Sequence, residues 1–145
     1  MLLDFSHLSK KYNFNIKGIL HIGAHIGQEF SNYRKENLTN IVFFEPLVNN
    51  FERLKYNVGE HDDVLFIKKA LGNKTGKGVM KVETANGGQS SSLLDPVKHL
   101  TQYPHILFDK EEEVEIERLD DLLPKIITLP KLYNFINIDV QGYKL

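Results

Sequence analysis

Apolar residues in this chain fall into short runs separated by stretches of helical spacing. Ile19, Leu20 and Ile22 form the first run, which ends in the loop Gly23-Ala24-His25-Ile26-Gly27, and a helical pattern follows to about Asn37. The next run, Ile41-Val42-Phe43-Phe44, is β-branched and aromatic and closes at Glu45-Pro46; Phe51, Leu54 and Val58 then share one helical face. Val64-Leu65-Phe66-Ile67 follows the turn-like Glu60-His61-Asp62-Asp63 and predicts a third strand ending near Ala70-Leu71-Gly72. Apolar strands joined by helices favour parallel pairing in a sheet covered on its faces.

Beyond Gly72-Asn73-Lys74-Thr75-Gly76 the period changes. Val79, Lys81 and Glu83 alternate with Met80, Val82 and Thr84, and Val114-Glu115-Ile116-Glu117 alternates likewise, predicting an antiparallel pair attached after the third strand. A polar stretch from Ala85 to Ser92 and a helix near residues 95 to 102 lie between them. Leu119, Leu122 and Leu123 fit a short helix that Pro124 ends or distorts, and Phe135-Ile136-Asn137-Ile138 predicts a strand stopping at Asp139, with Gly142 in the turn beyond. At the other end, Phe5, Leu8 and Tyr12 suggest a leading helix with Asp4 or Ser6 as N-cap. The expected architecture is one α/β domain over residues 1–145: a leading helical segment at 1–16 and a Rossmann-like core of four parallel strands at 17–145, with the antiparallel pair inserted after the third strand.

Composition narrows the function classes. Lysine and arginine number 18 against 19 acidic residues, so no basic surplus is available to neutralise a nucleic-acid backbone. No apolar run is long enough to span a bilayer, and the N-terminus carries Asp4 and His7 where a signal peptide is continuously apolar, which places the chain in the cytoplasm. The absence of cysteine removes disulfides, thiolate metal sites and cysteine nucleophiles together. The run Glu111-Glu112-Glu113 reads as solvated surface at a strand start.

The chemistry-bearing positions are strand ends. Gly23 and Gly27 let backbone approach a ligand where a β-carbon would collide, although a strand-to-helix turn uses glycine for the same geometry, and the middle glycine of a dinucleotide fingerprint is missing. Glu45 ends the next strand, where a carboxylate can accept from both hydroxyls of a ribose; the alternative is a solvated strand terminus. Gly23, Glu45, Ala70 and Asp139 all occupy carboxyl ends of strands, the side on which ligands collect in open parallel sheets.

In sequence order, HIGAHIGQE, FFEPLVNNFERLKYNV, KKALGNKTGKG, GGQSSSLLD, VEIERLDDLL and INIDVQGYKL resemble the FkbM-type S-adenosylmethionine-dependent methyltransferases, from about Gly18 to Leu145. The resemblance implies a class I methyltransferase fold with S-adenosyl-L-methionine as cofactor. Gly23, Ala24, His25 and Gly27 would wrap its methionine end, and Glu45 would hold the ribose with Pro46 beside it. Ala70 would run along the adenine, and Asp139 would lie next to the transfer site. Ser91 and Ser92, in the segment Asn86-Gly87-Gly88-Gln89-Ser90-Ser91-Ser92, resemble the family's serine-containing stretch and would contact acceptor or cofactor; the alternative is a flexible polar loop. His21 departs from the acidic residue common ahead of the glycine loop, and Gln141 from the family's frequent glutamate.

Transfer to an alcohol requires alignment of the reacting atoms and removal of a proton, so a carboxylate or histidine is expected within reach; Asp139 and His25 are the candidates. Asp139 could equally cap a helix, and His25 could be a loop histidine bonded to backbone. No second carboxylate supports a metal at Asp139, so none is expected. The implied reaction is O-methyl transfer to a hydroxyl of a small molecule or glycan; the alternative is a non-catalytic nucleoside-binding module. A complete class I sheet has seven strands, so the sequence reads as truncated at its C-terminus. The strand at 134 to 139 is then expected to be an open apolar edge that invites self-association.

Overall fold

The computed structural model describes residues 4–84, 91, 93 and 108–140. Its centre is a four-stranded parallel sheet. β1 (Ile19–Ile22), β2 (Ile41–Phe44), β3 (Val64–Ile67) and β7 (Phe135–Ile138) stand in the order β3-β2-β1-β7. Every residue of β1 and β2 is buried, as continuous apolar runs in the middle of a doubly covered parallel sheet should be.

The strand alternation sorts the side chains into two cores. Ile19, Ile41, Phe43 and Val64 face one side, where α1 (Phe5–Tyr12), α2 (Phe30–Lys35) and α3 (Val48–Val58) contribute Phe5, Tyr33, Leu54 and Val58. Leu20, Ile22, Val42 and Phe44 face the other, against Leu122, Leu119, Leu123 and Ile126 of α4 (Leu119–Ile126). Asp4 is the cap of α1, its Oδ1 accepting the His7 N–H at 3.1 Å. A turn of 3₁₀ helix at Pro130–Leu132 leads into β7.

A second sheet, in the order β4-β6-β5, holds β4 (Ala70–Leu71), β5 (Gly76–Glu83) and β6 (Phe108–Glu117). β5 and β6 are antiparallel as expected, with Val114 opposite Gly78 and Ile116 opposite Gly76. Ala70, expected to close the third strand, instead opens β4 and pairs in parallel with Ile116. The break falls at Lys68-Lys69, where the Lys69 ammonium meets the buried Glu117 carboxylate of β6 at 2.5 Å and draws the chain onto the second sheet. Pro124 does not end α4, which continues to Ile126 because its apolar face goes on packing against the sheet. The helix expected near residues 95 to 102 lies outside the described residues. β7 is an edge strand among the described residues, and its Ile136 and Ile138 are about half exposed at 49% and 51%. No described helix is long and apolar enough to cross a membrane.

Candidate functional site

The first three strands progress outward in one direction, and β7 then returns to the opposite side of β1. This reversal is the topological switch point at which open α/β sheets form their ligand crevice. Gly23 follows β1 and Asp139 follows β7, so the two loops flank that point.

Both loop glycines turn out to serve the chain's own packing. Gly23 has φ +82°, and a β-carbon there would lie 2.0 Å from the Asp139 carbonyl oxygen. The space expected to admit a ligand over Gly23 is therefore filled by the β7 end. Gly27 has φ +81°, and a β-carbon would meet Leu54 Cδ1 at 2.8 Å, so this glycine admits α3. The loop is drawn tight against β2: the N–H groups of Gly23 and Ala24 both donate to the Phe44 carbonyl at 3.0 Å, and Ala24 is buried. His25 takes a left-handed conformation, φ +50°, and its ring Nδ1 lies 3.3 Å from Gln28 Oε1.

Glu45 is the convergence point. Its carboxylate is only 5% exposed; Oε2 accepts the His25 N–H at 2.9 Å, Oε1 accepts the Leu47 N–H at 3.0 Å, and the Asn50 side chain bonds it as well. Burial pushes its pKa up to about 7, against the opposing pull of those donors. The donors explain the position: α3 has no side-chain cap of its own, and the carboxylates of Glu45 and Glu112 take the N–H groups of Leu47 and Val48 at its start. Glu112, read as solvated surface, is thus a helix cap reaching from β6.

The other expected residues divide. Pro46 is half-buried between Glu45 and the start of α3. Ala70 is buried in the second sheet, packed in one cluster with Leu47, Met80 and Val114. Asp139 is exposed, and its backbone N–H continues the β7–β1 ladder by donating to Ile22 at 2.9 Å. Ser91 is buried and its Oγ accepts the Glu83 N–H at 3.2 Å, a structural contact within the β5 end. Ser92, Gln141 and Gly142 lie outside the described residues.

His21 points into the core on the helical side of the sheet. Its Nδ1 lies 3.1 Å from the Tyr33 hydroxyl, which accepts a hydrogen bond from Asn137 Nδ2 at 2.8 Å, and burial lowers the imidazole pKa to about 4. A neutral buried ring therefore stands where an acid is usual ahead of the loop. Sequence reasoning missed Asn50, Gln28 and Asn57, whose Nδ2 holds the Ile26 carbonyl at 2.9 Å. The run Asn49-Asn50, in the first turn of the helix that follows the strand-ending acid, was the one available signal.

A parallel sheet with a switch point, a tight glycine loop after β1 and a buried acid after β2 define a Rossmann-like α/β domain. The family model of the methyltransferase FkbM domain matches residues 21–145, and the chain belongs to that methyltransferase family. No match to a curated protein or to a solved structure was found.

Proposed function

We propose that the chain binds S-adenosyl-L-methionine and transfers its methyl group to a hydroxyl of a small molecule or glycan. The observation that carries this reading is the hydrogen bond from the His25 N–H to Glu45, which joins the glycine loop and the β2 acid into one polar centre at the strand ends. A carboxylate offers about four acceptor positions. The chain's own donors fill three at Glu45, so the acid fits one ribose hydroxyl rather than two. When bound, the cofactor supplies a methyl group on a sulfonium, a good leaving group, and positioning supplies much of the remaining acceleration.

Within that reading, Gly23 to Gly27 orient the methionine end through backbone, Glu45 and Pro46 hold the ribose, and Ala70 borders the adenine. Asp139 is the acceptor-side base because its carboxylate is exposed beside the switch point, whereas the His25 ring lies beside Gln28. Calorimetric titration of the chain with S-adenosylmethionine and S-adenosylhomocysteine tests the proposal, followed by a labelled-methyl assay over alcohol and sugar acceptors. Saturable binding of both is expected; binding of neither would sink it. One observation favours a second reading, a nucleoside-binding module without transfer: the buried neutral His21 leaves no anion ahead of the loop to meet the cofactor's ammonium. Adenosine binding as tightly as the full cofactor would favour that module.

A further inference from the structure

A cavity of about 510 Å³ lies between the polar face of α3 and the end of the β5–β6 ribbon, within the range of roughly 300 to 1,000 Å³ typical of small-molecule sites. It is distinct from the strand-end centre but shares a wall with it. Asn50 borders the cavity and bonds Glu45, while Glu112 borders it and caps α3. Asn49 and Arg53 are one helical turn apart on α3 and flank the opening, with Lys110 across from them on β6. The side chains of these three make no hydrogen bond or ion pair with any described residue, and all three are exposed, so their donors are available to a ligand.

The charge of the lining restricts what that ligand can be. Carboxylates of Glu52 and Glu112 stand against the cations of Arg53 and Lys110, so a ligand with a net charge of either sign meets like charge on part of the wall. Leu47 and Val82 supply apolar surface. Hydroxyl groups both donate and accept, and a wall of amides, carboxylates and cations offers both complements within one cavity. We infer that this cavity binds a neutral, hydroxyl-rich ligand, with the chemistry of a monosaccharide unit. Its rings place C–H faces on Leu47 and Val82 and hydroxyls on Asn49, Asn50, Arg53 and Glu112.

The test is saturation-transfer NMR on the full chain without any methyl donor, so that its result is independent of cofactor binding. The probes are methyl glucoside, glucuronic acid, glucosamine and glucose 6-phosphate. Methyl glucoside should bind most tightly, and the Asn49→Ala, Arg53→Ala double variant should lose about tenfold in its affinity. The circular dichroism spectrum should not change, because neither side chain bonds to the fold. Absence of transfer to methyl glucoside, tighter binding of any charged sugar, or undiminished affinity in the double variant would each overturn the inference.

Discussion

Two buried polar centres lie on adjacent strands, and they handle burial in opposite ways. His21, on β1, is enclosed by Tyr33 and Phe43 and stays neutral, its pKa pulled down to about 4 by desolvation. Glu45, just past the end of β2, is almost as enclosed, yet it gathers backbone donors from the β1 loop and the start of α3. The first centre is a closed joint that binds β1, α2 and β7 together through Tyr33 and Asn137. The second is strained toward protonation and retains spare acceptor capacity. The difference teaches that burial alone does not fix a polar group's role: His21 is sealed among side chains, whereas Glu45 draws backbone donors from two segments at the carboxyl ends of the strands.

The largest expected effect comes from the glycine that separates the two centres. Gly23→Val should cost more than about 4 kcal/mol, because it combines a left-handed φ with a β-carbon driven into the Asp139 carbonyl. Folding and binding should be lost together in thermal denaturation and calorimetry; a folded variant lacking only cofactor affinity would restore the reading in which Gly23 makes room for ligand.

Next is the pH dependence of stability, where the centres oppose each other. Folded Glu45 holds a proton between its ordinary pKa of 4.5 and about 7 that the unfolded chain releases, so its contribution to stability falls as pH rises through that window. Folded His21 refuses a proton between 6.5 and about 4 that the unfolded chain accepts, so its contribution falls as pH drops through that window. Each penalty reaches about 3 kcal/mol at its extreme, and near pH 5 to 6 the two pH slopes, opposite in sign, largely cancel while the penalties themselves add. Urea denaturation of Glu45→Gln should therefore show stability rising with pH between 4 and 7 more steeply than in the parent; identical slopes would remove Glu45 as the opposing group.

Glu45→Ala should weaken S-adenosylmethionine binding by about 1 to 3 kcal/mol, read by calorimetry on protein whose fold is verified by circular dichroism. Unchanged affinity would take Glu45 out of the site. The smallest effect is expected at the closed joint: Tyr33→Phe, which strips the partner from His21 and Asn137, should cost about 1 to 2 kcal/mol of stability and leave cofactor affinity within error. A matching loss of affinity would mean that the two centres are coupled through β1.

How much of this was legible follows from the range of the interactions. The four parallel strands were plain because each is a short, largely apolar run, although only β1 and β2 are buried throughout, and the β5–β6 pair because alternation is local. Glu45 was visible as an acid after a strand. The partners that define it were not, since a carboxylate that caps α3 jointly with Glu112 depends on residues far apart in the chain. Ala70 was assigned to the wrong strand because the break at Lys69 is decided by Glu117, another distant partner. Gly23 was singled out correctly as a position that needs glycine. The reason, the approach of the Asp139 carbonyl, exists only once β7 has docked.

That docking has a consequence for how the chain assembles. β1, β2 and β3 are nearest neighbours in sequence and can form as they leave the ribosome, yet the far edge of β1 must wait for β7, the last described strand. Closing so long a loop carries an entropic cost that delays the pairing. Throughout that interval β1 offers a row of unpaired amides and carbonyls along that edge, a template on which another strand can pair until Ile136 and its neighbours arrive to occupy the slot.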